Sequence, residues 1–325
     1  MGYGEDNARV AKHLPSDDLD VCEENFNLFF QTMFERQEIW YKRFMLKQER
    51  PWTEDKFFKD YKFTNVYREI DRNSQFQIEN YFKPAKSRKE LLWKIMFFRF
   101  FNNPEFFKFI GPIPEYDDFD EKELKGWMEM YRAEGGNPFT NAYLTNSQAC
   151  PGCTRDECFA FKVIPTLHKL IPEISLKLIS AKTPEEIIKL LMTLPSVSNF
   201  MAHEFYQDFT YAPRYSNFKL MKFDQDDFTN VGPGANDGIR WIFPNRKTKK
   251  EKEQAIYDLR DLSQAALKQF GDFKYLDYVD GEYVINLDGK LSAHPQEMWL
   301  CEFSKYKKMQ IGAGKQRSKF QIKTL

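Results

Sequence analysis

The chain has 325 residues and a mass of 38.8 kDa, with 48 Lys and Arg against 48 Asp and Glu. That is length for one large or two modest domains and for a sizeable core. Hydrophobic residues make up 42%, and Phe, Tyr and Trp number 32, 16 and 6, apolar surface enough to exclude a disordered polypeptide. The balanced charge excludes a uniformly basic protein but hides an asymmetry. From Phe303 to Leu325 there are seven Lys or Arg and no acid, which leaves residues 1–302 at −7. A basic tail on an acidic body points to a local anion contact.

No stretch approaches the roughly twenty uninterrupted apolar residues of a membrane span; even Leu91 to Phe101 carries Lys94 and Arg99. The opening MGYGEDNARVAKHLPSDD lacks an apolar signal core, so the reducing interior of a cell is the expected compartment.

In chain order, Cys22 to Lys47 repeats aromatics at three- and four-residue spacing and predicts a long amphipathic helix, with Ser16 and the acids after it as a cap region. Further helices are predicted over Phe63–Tyr81, Ser87–Asn102, Glu121–Glu134, Pro172–Ile179, Pro184–Leu194, Val197–Asp208, Asn236–Ile242 and Thr248–Phe270. The best strand signal is Tyr275 to Leu287, where Asp280-Gly281 can turn a small hairpin or belong to a loop. The expectation is an all-α fold with at most that hairpin. It divides into an N-terminal helical extension (1–50), a helical domain (51–310) and a basic tail (311–325), with no repeat and no long linker.

Phe63 to Arg72 (FTNVYREIDR) is the densest polar constellation. On a helix, Asn65, Arg68, Glu69 and Arg72 share one face beside Phe63 and Tyr67, able to hold a phosphate and a base edge together. The same spacing also suits a surface helix laced with ion pairs. Cys150-x-x-Cys153-x4-Cys158 with His168 offers three thiolates and one imidazole, a candidate structural zinc site; unligated thiols are the alternative.

The segment LPSVSNFMA reads as a tight turn between two helices near residues 185–208. In the DNA-binding version of such a hairpin, glycines let backbone N–H groups approach a phosphate. Here Ser196 and Ser198 occupy those positions and keep hydroxyl donors available; an ordinary helix–helix turn is the alternative. Carboxylates follow at Glu204, Asp208, Asp224, Asp226 and Asp227, then Gly232-Pro233-Gly234-Ala235 before a predicted helix. Gly232 and Gly234 form either a second anion seat or a plain turn. A carboxylate beside them could act as general base.

Towards the C-terminus, Glu302, Lys305 and Tyr306 share a helix face, and Lys315, Arg317 and Lys319 in the tail suit DNA phosphates or a merely solvated end. GAGK at residues 312–315 is no Walker A motif, because Met309 stands where the first glycine is required. Kinase chemistry is therefore not expected. The four His at 13, 168, 203 and 294 form no HExxH or triad pattern.

The blocks FTNVYREIDR, LLWKIMFFRFFN, GGNPFTNAYL, LPSVSNFMAHEFYQD, DDFTNVGPGANDGI and LCEFSKY occur here in an order, from about residue 60 to 310, that resembles one family. It is the helical family found with 5-hydroxymethyl-deoxyuridine DNA kinases, also named α-glutamyl/putrescinyl-thymine pyrophosphorylases. The resemblance implies a helix-hairpin-helix DNA glycosylase-like fold and a role in hypermodifying thymine-derived bases. In the implied scheme a separate kinase pyrophosphorylates the 5-hydroxymethyl group of a pyrimidine in DNA. The helical enzyme flips that base and replaces the pyrophosphate with an amine from an amino acid or polyamine, without a required cofactor. Arg68, Arg72 and Lys305 would neutralise the leaving group, with Glu69, Gly232, Gly234 and Tyr306 completing the substrate pocket. Asp208, Asp227 or Glu302 would serve as base or cation stabiliser. Asn65 and Tyr67 would read and stack the pyrimidine. The cytoplasm of a phage-infected cell or a nucleus would both suit such an enzyme. The alternatives are a glycosylase excising a modified pyrimidine and a non-catalytic reader of modified DNA.

Overall fold

The computed structural model describes residues 20–140, 149–313 and 319. In chain order the helices are α1 (Glu23–Trp40), α2 (Lys56–Asp60), α3 (Arg72–Gln77), α4 (Arg88–Phe101), α5 (Pro104–Ile110), α6 (Glu121–Ala133), α7 (Arg155–Cys158), α8 (Ile164–Ser180), α9 (Pro184–Leu191), α10 (Asn199–Tyr215), α11 (Pro233–Ile242), α12 (Lys249–Lys268) and α13 (Ala293–Gln310). One antiparallel hairpin pairs β1 (Tyr275–Val279) with β2 (Glu282–Asn286). The fold is all-α with a small β-hairpin. Among the described residues no helix is long and apolar enough to cross a membrane.

Two compact units emerge, one of Met1–Arg68 with Phe228–Leu325 and one of Glu69–Asp227. They cut across the 1–50, 51–310 and 311–325 partition drawn from the sequence. The reason is that α1 packs on α11, α12 and α13, contacts between distant segments that leave no mark in local composition. Phe26, Phe29, Phe30 and Met33 form the buried face of α1, and Phe29 meets Phe303 of α13 edge to face at 5.5 Å. In the same unit the hairpin turns through Asp280 and Gly281, both at positive φ (50° and 89°), as a two-residue type I′ turn requires.

In the Glu69–Asp227 unit, α4 is apolar nearly all round, with Leu91, Leu92, Trp93, Ile95, Met96, Phe97, Phe98, Phe100 and Phe101 buried. A helix with that pattern belongs at the centre of a core, and α8 and α10 pack against it. Its ends follow from its sequence. The Ser87 side chain accepts from Glu90 N–H, and Asn102 closes the helix in the left-handed conformation. Helix α8 starts well before Pro172, which lies inside it. The apolar face of Ile164, Leu167, Ile171, Ile174 and Leu178 carries the helix through the hydrogen bond that proline forfeits.

The helix expected over Phe63–Tyr81 does not form as one element. Residues 63–67 are not helical, a short 3-10 turn spans Arg68–Ile70, and α3 leads into a π-helical turn at Ile78–Phe82. The backbone of residues 62–64 is satisfied by side chains instead of a helical ladder. Lys305 donates to the Lys62 carbonyl (3.1 Å), Arg36 to the Phe63 carbonyl (3.4 Å), and the Thr64 N–H to Glu302 (3.2 Å). Tertiary partners thus override the local spacing.

Candidate functional site

Helix α13 positions a carboxylate and an ammonium one turn apart. Glu302 accepts from the Thr64 N–H at 3.2 Å and pairs with Lys305 at 2.6 Å. The Lys305 ammonium also lies 4.6 Å from the centroid of the Phe63 ring. The pair is only partly shielded, with side chains 12% and 28% exposed. It therefore feels a reduced dielectric while keeping some contact with solvent. One residue on, Tyr306 is buried and donates to Asp55 at 2.6 Å. Burial, reinforced by the Asp55 carboxylate, pushes its phenol pKa up, so Tyr306 stays a neutral donor.

Asn65, Tyr67 and Arg68 belong to this unit, whereas Glu69 and Arg72 belong to the other. The shared helix face expected for Asn65, Arg68, Glu69 and Arg72 is corrected accordingly, since residues 63–67 are not helical. Tyr67 is 6% exposed and its hydroxyl accepts the Leu276 N–H at 3.2 Å, so its ring is a core element and not a stacking platform. Gly232 caps α11 with open space beside its Cα. At Gly234 a Cβ would lie 2.9 Å from Cys301 Sγ, and at Gly238 only 2.3 Å from the Leu300 carbonyl. The second glycine of GPGA is thus a packing residue of the α11–α13 contact. Lys315 and Arg317 lie outside the described residues. Lys319 pairs through its backbone with Tyr61.

Within the Glu69–Asp227 unit, Asp208 is fully buried and chelated by Arg99, Nε to Oδ2 at 2.7 Å and Nη2 to Oδ1 at 2.5 Å. Gln77 donates to it at 3.3 Å and the Tyr211 hydroxyl also binds it, while Glu204 lies 3.7 Å from the same guanidinium. Both carboxylate oxygens are taken up by these partners, and the expected role as base is corrected to one of holding α4 and α10 together. Arg99 was not singled out in the sequence, where it reads as a charge interrupting an apolar helix. Glu69 is buried against Arg214 at 2.7 Å; burial raises its pKa and Arg214 opposes the shift. Arg72 pairs with Glu105. Asp227 is exposed and accepts the Asp224 N–H at 2.8 Å, closing its own turn.

Between α9 and α10 the turn is tight. Ser196 has φ +61°, a conformation that favours glycine. Ser198 is the N-cap of α10 and accepts the Met201 N–H at 3.4 Å. Its oxygen is used by the helix.

The zinc set is not assembled. Cys150 and Cys153 place their sulfurs 2.9 Å apart, and burial, with Cys150 adding to it, pushes Cys158 up to about 11. His168, however, bonds the Tyr116 carbonyl through Nε2 at 2.7 Å and stacks on the Tyr116 ring at 4.3 Å. Among the described residues no group of three or more His, Cys, Asp or Glu is arranged to hold a metal ion.

A 5-hmdU DNA kinase of Bacillus phage SP10 is 26% identical over 314 residues, covering 93% of this chain and 47% of that protein. The chain thus spans about half the length of the curated relative it matches. No solved structure matches significantly. Residues 23–316 match the family described as "5-hmdU DNA kinase, helical domain", and the chain belongs to that family.

Proposed function

We propose that this chain modifies hydroxymethyluracil-derived bases in DNA, replacing a pyrophosphate on the 5-methylene of a flipped pyrimidine with an amine. What carries the reading is membership of the helical-domain family over residues 23–316. In this reading a 5-hydroxymethyl-deoxyuridine DNA kinase carries out the phosphorylating step beforehand, and the nucleophile comes from an amino acid or polyamine.

The Glu302–Lys305 pair supplies the chemistry this substitution needs. As the amine nitrogen bonds to the methylene carbon, the bond from that carbon to the bridging oxygen breaks and pyrophosphate departs. Glu302 accepts the proton the amine sheds. Protonation dissolves its ion pair with Lys305, which then turns its charge to the leaving group, with Arg68 as a second cation. Ser196 and Ser198 at the start of α10, with Lys315, Arg317 and Lys319, would face DNA phosphates.

Incubating the protein with duplex DNA carrying pyrophosphorylated 5-hydroxymethyl-deoxyuridine and an amine mixture tests this. Mass spectrometry of the digested DNA should show an amine-adducted nucleoside. An abasic site would identify a glycosylase instead, and DNA bound but unaltered would identify a reader. Glu302→Gln keeps an oxygen for the Thr64 N–H while losing the base, and should slow adduct formation by roughly 10²–10⁴-fold.

A further inference from the structure

A cleft of about 290 Å³ opens in the unit that holds α1 and α2, where the chain passes from the end of one helix to the start of the other. Its walls combine the half-buried aromatic rings of Phe44, Trp52 and Tyr61 with the cations Arg36, Arg43, Arg50 and Lys59, against the carboxylate of Asp60. Two guanidinium groups converge on one indole. Arg43 and Arg50 each lie 5.2 Å from the centroid of Trp52, and Arg43 is also 4.6 Å from Phe44. The indole is held by its N–H, which bonds the Gln48 carbonyl at 2.8 Å.

Cation–π contacts are common, about one per 70–80 residues, and one alone would say little. Two like charges on the same ring are another matter, since each raises the cost of the other. Burial first, and the charge of Arg50 second, hold Arg43 below its ordinary pKa. An anion bound to either guanidinium would relieve both effects, and Arg forks match phosphate oxygens in pairs. Planar rings beside them suit stacking of a base, by the chemistry with which proteins bind unpaired nucleotides. The volume sits at the small end of the roughly 300–1,000 Å³ of ligand clefts, which suits one base with its phosphate and not a dinucleotide. Tyr61 in the wall pairs with the backbone of Lys319, bringing a further basic residue near the cleft.

We propose that this cleft is a nucleotide-binding site, taking one unpaired base on its aromatic wall and the attached phosphate on Arg43 and Arg50. The inference is carried by the cleft alone and does not rest on the transfer reaction. The nucleotide can be free or part of single-stranded DNA.

Isothermal titration calorimetry of the full chain with dTMP, an eight-residue oligo(dT), thymidine and inorganic phosphate tests it. Saturable binding of dTMP or the oligonucleotide is expected, at least tenfold tighter than thymidine or phosphate. A tenfold advantage of the oligonucleotide over dTMP assigns the site to single strands, and the reverse to free nucleotides. Arg50 is exposed, so Arg50→Gln should leave the far-UV circular dichroism unchanged and weaken binding about tenfold; Trp52→Phe, which keeps a ring, should weaken it less. No saturable binding by either nucleotide ligand, phosphate binding as tight as dTMP, or an unchanged affinity in Arg50→Gln would overturn the assignment.

Discussion

Asp208 shows how a functional-looking residue can be structural. The sequence marks it as a carboxylate on a helix behind a tight turn, which is what a base would look like. Arg99, its partner 109 positions earlier, is marked only as a charge within an apolar run, and no spacing rule links the two. Once paired inside a core, each depends on the other, because an unpaired buried charge is costly. Arg99→Met should therefore cost about 3–5 kcal/mol in urea unfolding, and Arg99→Met combined with Asp208→Leu should recover most of it. A double variant as unstable as the single one would contradict this view of the pair. Glu302 differs in kind: it and Lys305 were legible as neighbours on one helix face, while the Thr64 contact that orients the carboxylate was not.

At the scale of elements, capped ends mark some of the legible helices and turns. Ser87 and Asn102 bound α4, Thr248 with Glu251 forms a capping box on α12, and Asp280-Gly281 turns the hairpin. The start of the segment from Phe63 to Tyr81 was not legible, because α13 and α1 satisfy the backbone of residues 62–64 from outside. The α11–α13 contact belongs to the same class. Gly238 lets the two helices approach until its Cα faces the Leu300 carbonyl, a requirement invisible in the motif GPGANDG. Gly238→Ala should lower stability by about 1–3 kcal/mol through overpacking, whereas Gly232→Ala, with nothing near a Cβ, should cost well under half as much in thermal or chemical unfolding. Equal losses at both positions would remove the close-approach argument.

For the whole molecule, the chain leaves one unit at Arg68 and returns to it at Phe228, so the FTNVYREIDR block runs across the boundary. Its polar residues therefore serve two cores, and the proposed reaction rests on Glu302 and Lys305. The basic C-terminal stretch also divides, since Lys305, Lys307 and Lys308 belong to α13 and only the later cations form a tail. Substitution at the methylene carbon is the central chemical claim, and the fate of the bridging oxygen reports on it directly. With ¹⁸O placed between the methylene and the first phosphorus, mass spectrometry after reaction with an amine should find the label in the released pyrophosphate and nitrogen on the base. Label retained on a 5-hydroxymethyl group would mean cleavage at phosphorus, and would contradict the account.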